Sequence, residues 1–330
     1  MIRLIFLAIG LVALSVLVWH IGPSQILQTI QQLGFVSIVI ILLPLLAVYV
    51  LEAYGWKLTL GRWADRVGFL RLFFIRTAGE AINASTPTGM VGGEPMKAYL
   101  LKQYDVPMVE GLASLVTAKT AMVLAQIFFM LLGIGLMVGI LGGSDHNVLA
   151  AAVGVGMLAF GLLMLVMIQR HGIGMGLLTI LRKIRLPMRF LESREAQLLD
   201  LDNTIRGFYQ ERAGIFRVAV LVYFVAWAIE TFEVYAILFF LGMDVTLLVA
   251  FSIAAISVLI KGAGFFIPGS LGAQEGGYLV LLLSFGYDEV TGITFALIRR
   301  MREILWIMVG LLVLAILKEK SPLPSTTQEF

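Results

Sequence analysis

Apolar runs long enough to cross a bilayer recur along the whole of this 330-residue chain, at about 2–21, 34–54, 110–140, 148–168, 215–241 and 291–317. A helix rises about 1.5 Å per residue, so about 20 apolar residues cover the roughly 30 Å of hydrocarbon in a membrane. Only 14% of the residues are charged and 60% are apolar, whereas a soluble domain carries about 25% charged residues. The mean hydropathy is +0.97. In lipid the backbone must satisfy its own hydrogen bonds, so runs of this length predict an all-α polytopic membrane protein. The first run is long, and "VWHIGPSQ" after it lacks a small-x-small cleavage site, which predicts an uncleaved helix rather than a signal peptide. The absence of cysteine excludes disulfides, thiolate metal sites and cysteine nucleophiles.

The net charge of +3 is no sign of nucleic acid here, because basic residues in a membrane protein record orientation. Lysine and arginine are absent from 22–33, 142–147, 242–246 and 286–292. Lys57, Arg62, Arg66, Arg71 and Arg76 crowd 55–76, arginines recur through 169–217, and Lys318 and Lys320 follow the last run. With both termini cytoplasmic, every basic loop falls inside. That assignment holds only if two further apolar stretches, about 77–101 and 248–285, each enter and leave on one side. The expected fold is therefore about six full spans plus two re-entrant helical hairpins.

The two hairpins carry related breaks. PTGMVGGE (87–94) and PGSLGAQE (268–275) are both Pro-x6-Glu with small residues between, 181 positions apart. The same gapless shift pairs Glu52 with Glu233, Tyr54 with Tyr235, Gly61 with Gly242, Gly111 with Gly292, and Lys119 with Arg300. A basic loop precedes the first break and a base-free loop the second, so the halves face opposite ways. This predicts an inverted repeat, about 52–137 and about 233–318, inside a single membrane domain (1–330). An amphipathic cytoplasmic connector at about 169–214 joins the halves. Inverted repeats whose broken helices meet near the midplane are a transporter architecture. Irregular backbone at that depth survives only where protein or a water-filled cavity satisfies it.

The candidate substrate site follows from these breaks. Pro87, Gly89, Gly93 and Glu94 form the first, and Pro268, Gly269, Gly272 and Glu275 the second. Lys119, Glu230, Glu233, Arg299 and Arg300 are ionisable residues inside spans, beside Arg302 and Glu303, and Lys261 lies in the second hairpin stretch. Each such group costs roughly 2.5–3.5 kcal/mol at a helix centre, so it faces a partner or a cavity. Two uses are open: a charged headgroup could be held among them, or they could neutralise one another as structural ion pairs. Lys261 could equally serve a substrate or a neighbouring glutamate. Glu52, near the cytoplasmic end of its span, reads as an interfacial anchor.

Other stretches carry less. In 181–214, Leu191, Leu198, Leu201, Ile205 and Phe208 recur at near-helical spacing among charges, which predicts an amphipathic helix on the cytoplasmic face. The segment 58–76 reads as interfacial, with Trp63 and its arginines at headgroup level. His20, His146 and His171 are scattered without metal-ligand spacing, and "GIGMG" (172–176) lacks the strand-turn-helix setting of a nucleotide fingerprint.

"GEPMKAYLL" (93–101), "FIPGSLGAQEGGYLVLL" (266–282) and "ALIRRMREILW" (296–306) resemble the flippase-like transmembrane family typified by the membrane half of bacterial lysylphosphatidylglycerol synthases. The second motif is most similar to the branch associated with hopanoid biosynthesis. The resemblance covers roughly 30–317, and its most specific block is held by Pro268, Gly269, Gly272 and Glu275. It implies a stand-alone member in the bacterial cytoplasmic (inner) membrane that moves a polar-headed lipid between leaflets. It also implies a homodimer. The sequence departs from the family at Thr88, which follows Pro87 in place of glycine, and at Lys119, where arginine is expected. Lysine is a point charge and arginine a planar fork, so the headgroup handled need not be the same.

Three functions are compatible with these residues: a lipid flippase or scramblase, a secondary transporter of a small solute, and a non-transporting accessory subunit that meets lipid-biosynthesis enzymes. No nucleophile–base pair or metal cluster is visible, and the tail after residue 318 is too short for an aminoacyl-transferase domain, so an enzyme is not expected. The expected partners are membrane lipids; no cofactor, metal or nucleic acid is expected.

Overall fold

The structure is a computed structural model, and it describes residues 33–85, 92–141, 153–158, 195–263 and 273–317, with isolated positions at 19, 24, 160, 161 and 164. Every regular element among the described residues is helical. The order is α1 (Phe35–Leu60), a 3-10 turn (Gly61–Trp63), α2 (Ala64–Val67), α3 (Phe69–Ser85), α4 (Gly93–Lys102), α5 (Met108–Leu141), α6 (Glu195–Glu211), α7 (Ala213–Phe240), α8 (Leu247–Ala263), α9 (Ala273–Ser284) and α10 (Glu289–Ile316). The runs expected at 34–54, 110–140, 215–241 and 291–317 are thus α1, α5, α7 and α10. Those at 2–21 and 148–168 lie outside the described residues, apart from a helical piece at 153–158 and isolated positions.

Leu33–Val67, Met108–Ile140 and Ala213–Phe240 are long and apolar enough to cross a membrane. The 28 residues of α10 match α7 in length, but Arg299, Arg300, Arg302 and Glu303 stand in the middle of it. Its start is set by Asp288, whose side chain accepts the Thr291 amide at 2.7 Å. That bond satisfies an orphan donor of the first turn and holds the Asp288 carboxyl below the usual carboxylate range. At about 1.5 Å per residue, the 10 residues of α4 and the 12 of α9 rise roughly 15 and 18 Å. Neither crosses a bilayer alone.

Helix pairings in the first half recur in the second. α3 packs on α4 and α4 on α5, as α8 packs on α9 and α9 on α10; α3 also packs against α10, as α8 does against α5. Both of these last contacts close at a glycine. A Cβ on Gly310 would come within 2.4 Å of the Ala81 Cβ, and one on Gly133 within 2.1 Å of the Ala255 Cβ. Small residues let backbones approach where no water drives helices together. α1 and α7 form the most extensive pair and run antiparallel. Gly61 backs onto Arg212 and Gly55 onto the Tyr223 ring, while Ile41 shares a core with Val234 and Ile237.

Among the described residues, two large apolar cores result. One gathers Trp56, Leu60, Leu72, Ile75, Leu101, Tyr223 and Leu314, at the end of the molecule that carries the basic loops. The other gathers Ile41, Phe129, Ile134, Ile237, Ile253, Leu282 and Phe295. Along α7 and α10, the acids and arginines fall between the segments that feed one core and the segments that feed the other. The connector helix α6 turns Ile205 and Asp202 inward and packs on α5, as the spacing of Leu198, Leu201, Ile205 and Phe208 predicts.

Candidate functional site

Seven carboxylates and seven cations meet in three groups between and beside the cores. The first group sits on the α3–α4 hairpin. Gly93 donates its amide to Asn83 Oδ1 at 2.7 Å, and a Cβ there would come within 2.0 Å of the Gly79 carbonyl oxygen. Glycine therefore sets how closely the arms approach. Lys97, three residues after Glu94 and so on the same helix face, reaches Glu80 at 2.6 Å and Glu94 at 3.0 Å. Asn83 Nδ2 donates to both acids at 3.3 Å, and Lys119 of α5 approaches Glu94 at 4.0 Å.

The α8–α9 hairpin carries the second group. Arg300 of α10 directs Nε and Nη2 at Glu275 Oε1, at 2.8 and 2.7 Å. Its Nη1 meets Glu303 at 2.9 Å, and Glu303 in turn takes Lys261 at 3.0 Å. Glu94–Lys119 and Glu275–Arg300 each join a hairpin's short arm to the long helix after it. Both pairs are partly open, with the Lys119 side chain 38% exposed and that of Glu275 29%.

The third group is closed. Arg302 pairs with Glu233, and Arg299 lies 3.4 Å from Glu230 and 3.7 Å from Glu233. Arg76 pairs with Glu52 and lies over the Tyr49 ring at 4.6 Å, and that ring stacks on Trp306. Arg299 also lies over Tyr278 and Phe295; such cation–π contacts help hold a desolvated guanidinium. Glu233 is 0% and Arg299 1% exposed. Arg299 Nε and Nη1, Glu233 Oε1 and Arg76 Nη1 are buried without a hydrogen-bond partner among the described residues.

Partly open acid–cation pairs thus stand at both hairpins, beside a group of buried pairs. The lysylphosphatidylglycerol synthase TM region model matches residues 3–311. The chain belongs to that family. Among curated proteins it is 28% identical over 297 residues to a UPF0104 membrane protein of Methanothermobacter thermautotrophicus, covering 87% of this chain and 86% of that one. No solved structure matches. Membership in the lysylphosphatidylglycerol synthase TM family makes this a membrane-embedded protein with a lipid-related role.

Within this family member, the structure brings together Gly93, Glu94 and Lys119 in one group, Lys261, Glu275 and Arg300 in another, and Glu230, Glu233 and Arg299 in the third. Pro87, Gly89, Pro268, Gly269 and Gly272 lie outside the described residues. Lys261 has a glutamate partner, Glu303. Glu52 needs correction: it is 7% exposed and pairs with Arg76, so it is an interior ion-pair member and not an interfacial anchor. Arg76 likewise leaves the basic loop for the interior: it lies about two turns into α3 and is 6% exposed. Glu80, Asn83 and Lys97 were not foreseen as site residues. The 181-residue shift could have found Glu80, since its counterpart is the charged Lys261.

Proposed function

We propose that this protein moves a polar-headed lipid, an aminoacylated phospholipid, hopanoid or similar amphiphile, between leaflets along a polar path at two re-entrant hairpins. In this proposal the halves form an inverted repeat, both termini are cytoplasmic in a bacterial inner membrane, and no covalent chemistry is performed. One observation carries it: the same partly open acid–cation pair stands on the short arm of each hairpin. Antiparallel α1 and α7 and the recurring helix pairings support the inversion. The short arms of 10 and 12 residues support re-entry. The family's name supports a lipid as the cargo.

Mechanistically, the headgroup would exchange its own charges for those of the pair, Glu94 or Glu275 taking its cationic part and Lys119 or Arg300 its phosphate, while the tails stay in lipid. The closed third group would keep the path from opening to both sides at once. The test is translocation of a labelled aminoacylated phosphatidylglycerol by purified protein in vesicles, with Glu275→Gln alongside. Movement with the wild type and none with the variant upholds the proposal. Equal movement by both sinks the role of the pair, and none by the wild type with a panel of headgroups turns the choice to an accessory subunit.

A further inference from the structure

A cavity of about 340 Å³ opens away from the hairpins, between the end of α1, the start of α5 and the connector α6. Its chemistry is two-sided. Four hydroxyls line it, and each already spends its proton: Thr59 on the carbonyls of Trp56 and Ser114, Ser114 on that of Gly111, Thr117 on that of Ala113, and Thr204 on that of Asp200. They therefore offer the cavity acceptor lone pairs. Glu110 and Glu211 add two carboxylates to the same lining, and Arg62 and Arg212 add two guanidinium groups.

Gly61 shapes the cationic side. Its φ of +60° belongs to glycine, and a Cβ there would sit 2.7 Å from Arg212 Nη1. The missing side chain is the space the guanidinium occupies. Arg62 is tied only loosely, to Glu110 at 3.2 Å, with its side chain 73% exposed. Next to it Trp63 lies under both Arg62 and Arg66, an arrangement suited to the headgroup level of a membrane.

A simple anion here would face two carboxylates, and a simple cation two guanidinium groups; a ligand carrying both charges is complementary to all four. We propose that this cavity binds the head of a phospholipid bearing a phosphate and a primary ammonium, from the leaflet on the side of the basic loops. Arg62 and Arg212 take the phosphate, and Glu110, Glu211 and the hydroxyls take the ammonium. The bound lipid bridges α1, α5 and α6 and fixes the connector against the first half. This site is separate from the hairpins and does not depend on the translocation proposal.

The test uses delipidated full-length protein and three probes, phosphatidylethanolamine, phosphatidylglycerol and free phosphoethanolamine, read by native mass spectrometry and by the thermal midpoint. Phosphatidylethanolamine is expected to be retained and to raise the midpoint. The double variant Arg62→Ala/Arg212→Ala is expected to lower its affinity by about tenfold or more, since each lost charged hydrogen bond is worth about 1.5–3 kcal/mol. Equal retention of phosphatidylglycerol would remove the ammonium from the proposal and overturn it. Free phosphoethanolamine binding as tightly as the lipid would overturn the lipid source, and unchanged retention in the double variant would overturn the site. If that variant does not fold, Arg62→Ala and Thr117→Val singly decide in the same way, because the first is exposed and the second nearly isosteric.

Discussion

Glu94 and Glu275 each lie in the first turn of a short helix, α4 and α9, but are held differently. Lys97, Asn83 and Lys119 surround Glu94, whereas the planar fork of Arg300 grips one oxygen of Glu275 through two nitrogens. Glu275→Gln is expected to abolish translocation with little loss of folded protein, as the side chain is partly open; normal transport by the variant would refute this. Glu233→Gln should behave in the opposite way. Glu233 is wholly buried and serves both Arg302 and Arg299, and breaking a buried ion pair costs about 3–5 kcal/mol. Size-exclusion profiles and thermal midpoints in detergent check this: a variant as stable as wild type would mean the closed group is not structural. Part of this pairing was readable in advance. Arg299 and Arg302 share one face of α10 and Arg300 and Glu303 another, by the i, i+3 rule. The spacing could not say which helix each face would meet.

At the scale of elements, each hairpin depends on close approach between a longer and a shorter arm. Gly93→Ala would press a methyl against the Gly79 carbonyl, a backbone atom that cannot swing aside. The strain should cost about 1–3 kcal/mol, seen as lower folded yield. Gly276→Ala on α9 meets nothing within 4 Å, and alanine favours a helix over glycine, so the yield should hold or rise; equal losses from both would mean that the close approach at Gly93 is not responsible. Pro268→Ala is expected to harm transport more than Pro87→Ala, because the second break carries the fuller Pro-Gly-x-x-Gly-x-x-Glu pattern. Equal effects in the vesicle assay would show that the two breaks contribute alike. The left-handed Gly61 and Gly242 end α1 and fall just past α7, and the 181-residue shift pairs these two positions.

At the scale of the whole molecule, α1 and α7 run antiparallel, which is the course the proposed inverted repeat requires. The lack of native cysteine makes this directly testable with single cysteines at Thr88 and Ser270 and an impermeant thiol reagent in oriented membranes. Thr88 should react from the cytoplasm only and Ser270 from outside only. Labelling of both from one face would leave a parallel arrangement and remove the basis for a transport path. The sequence by itself determined the membrane solvent, the long helices that became α1, α5, α7 and α10, and membership in the family. All of these are written in local hydropathy, glycine and proline, and the positions of basic residues. Only the tertiary structure decided which acid meets which cation, moved Glu52 and Arg76 into the interior, and joined Lys97 to Glu80 and Glu94 within the first hairpin. The reason is physical: hydropathy responds to the lipid each residue would face, whereas an ion pair depends on helices distant in sequence arriving within a few ångströms, and no local pattern encodes that.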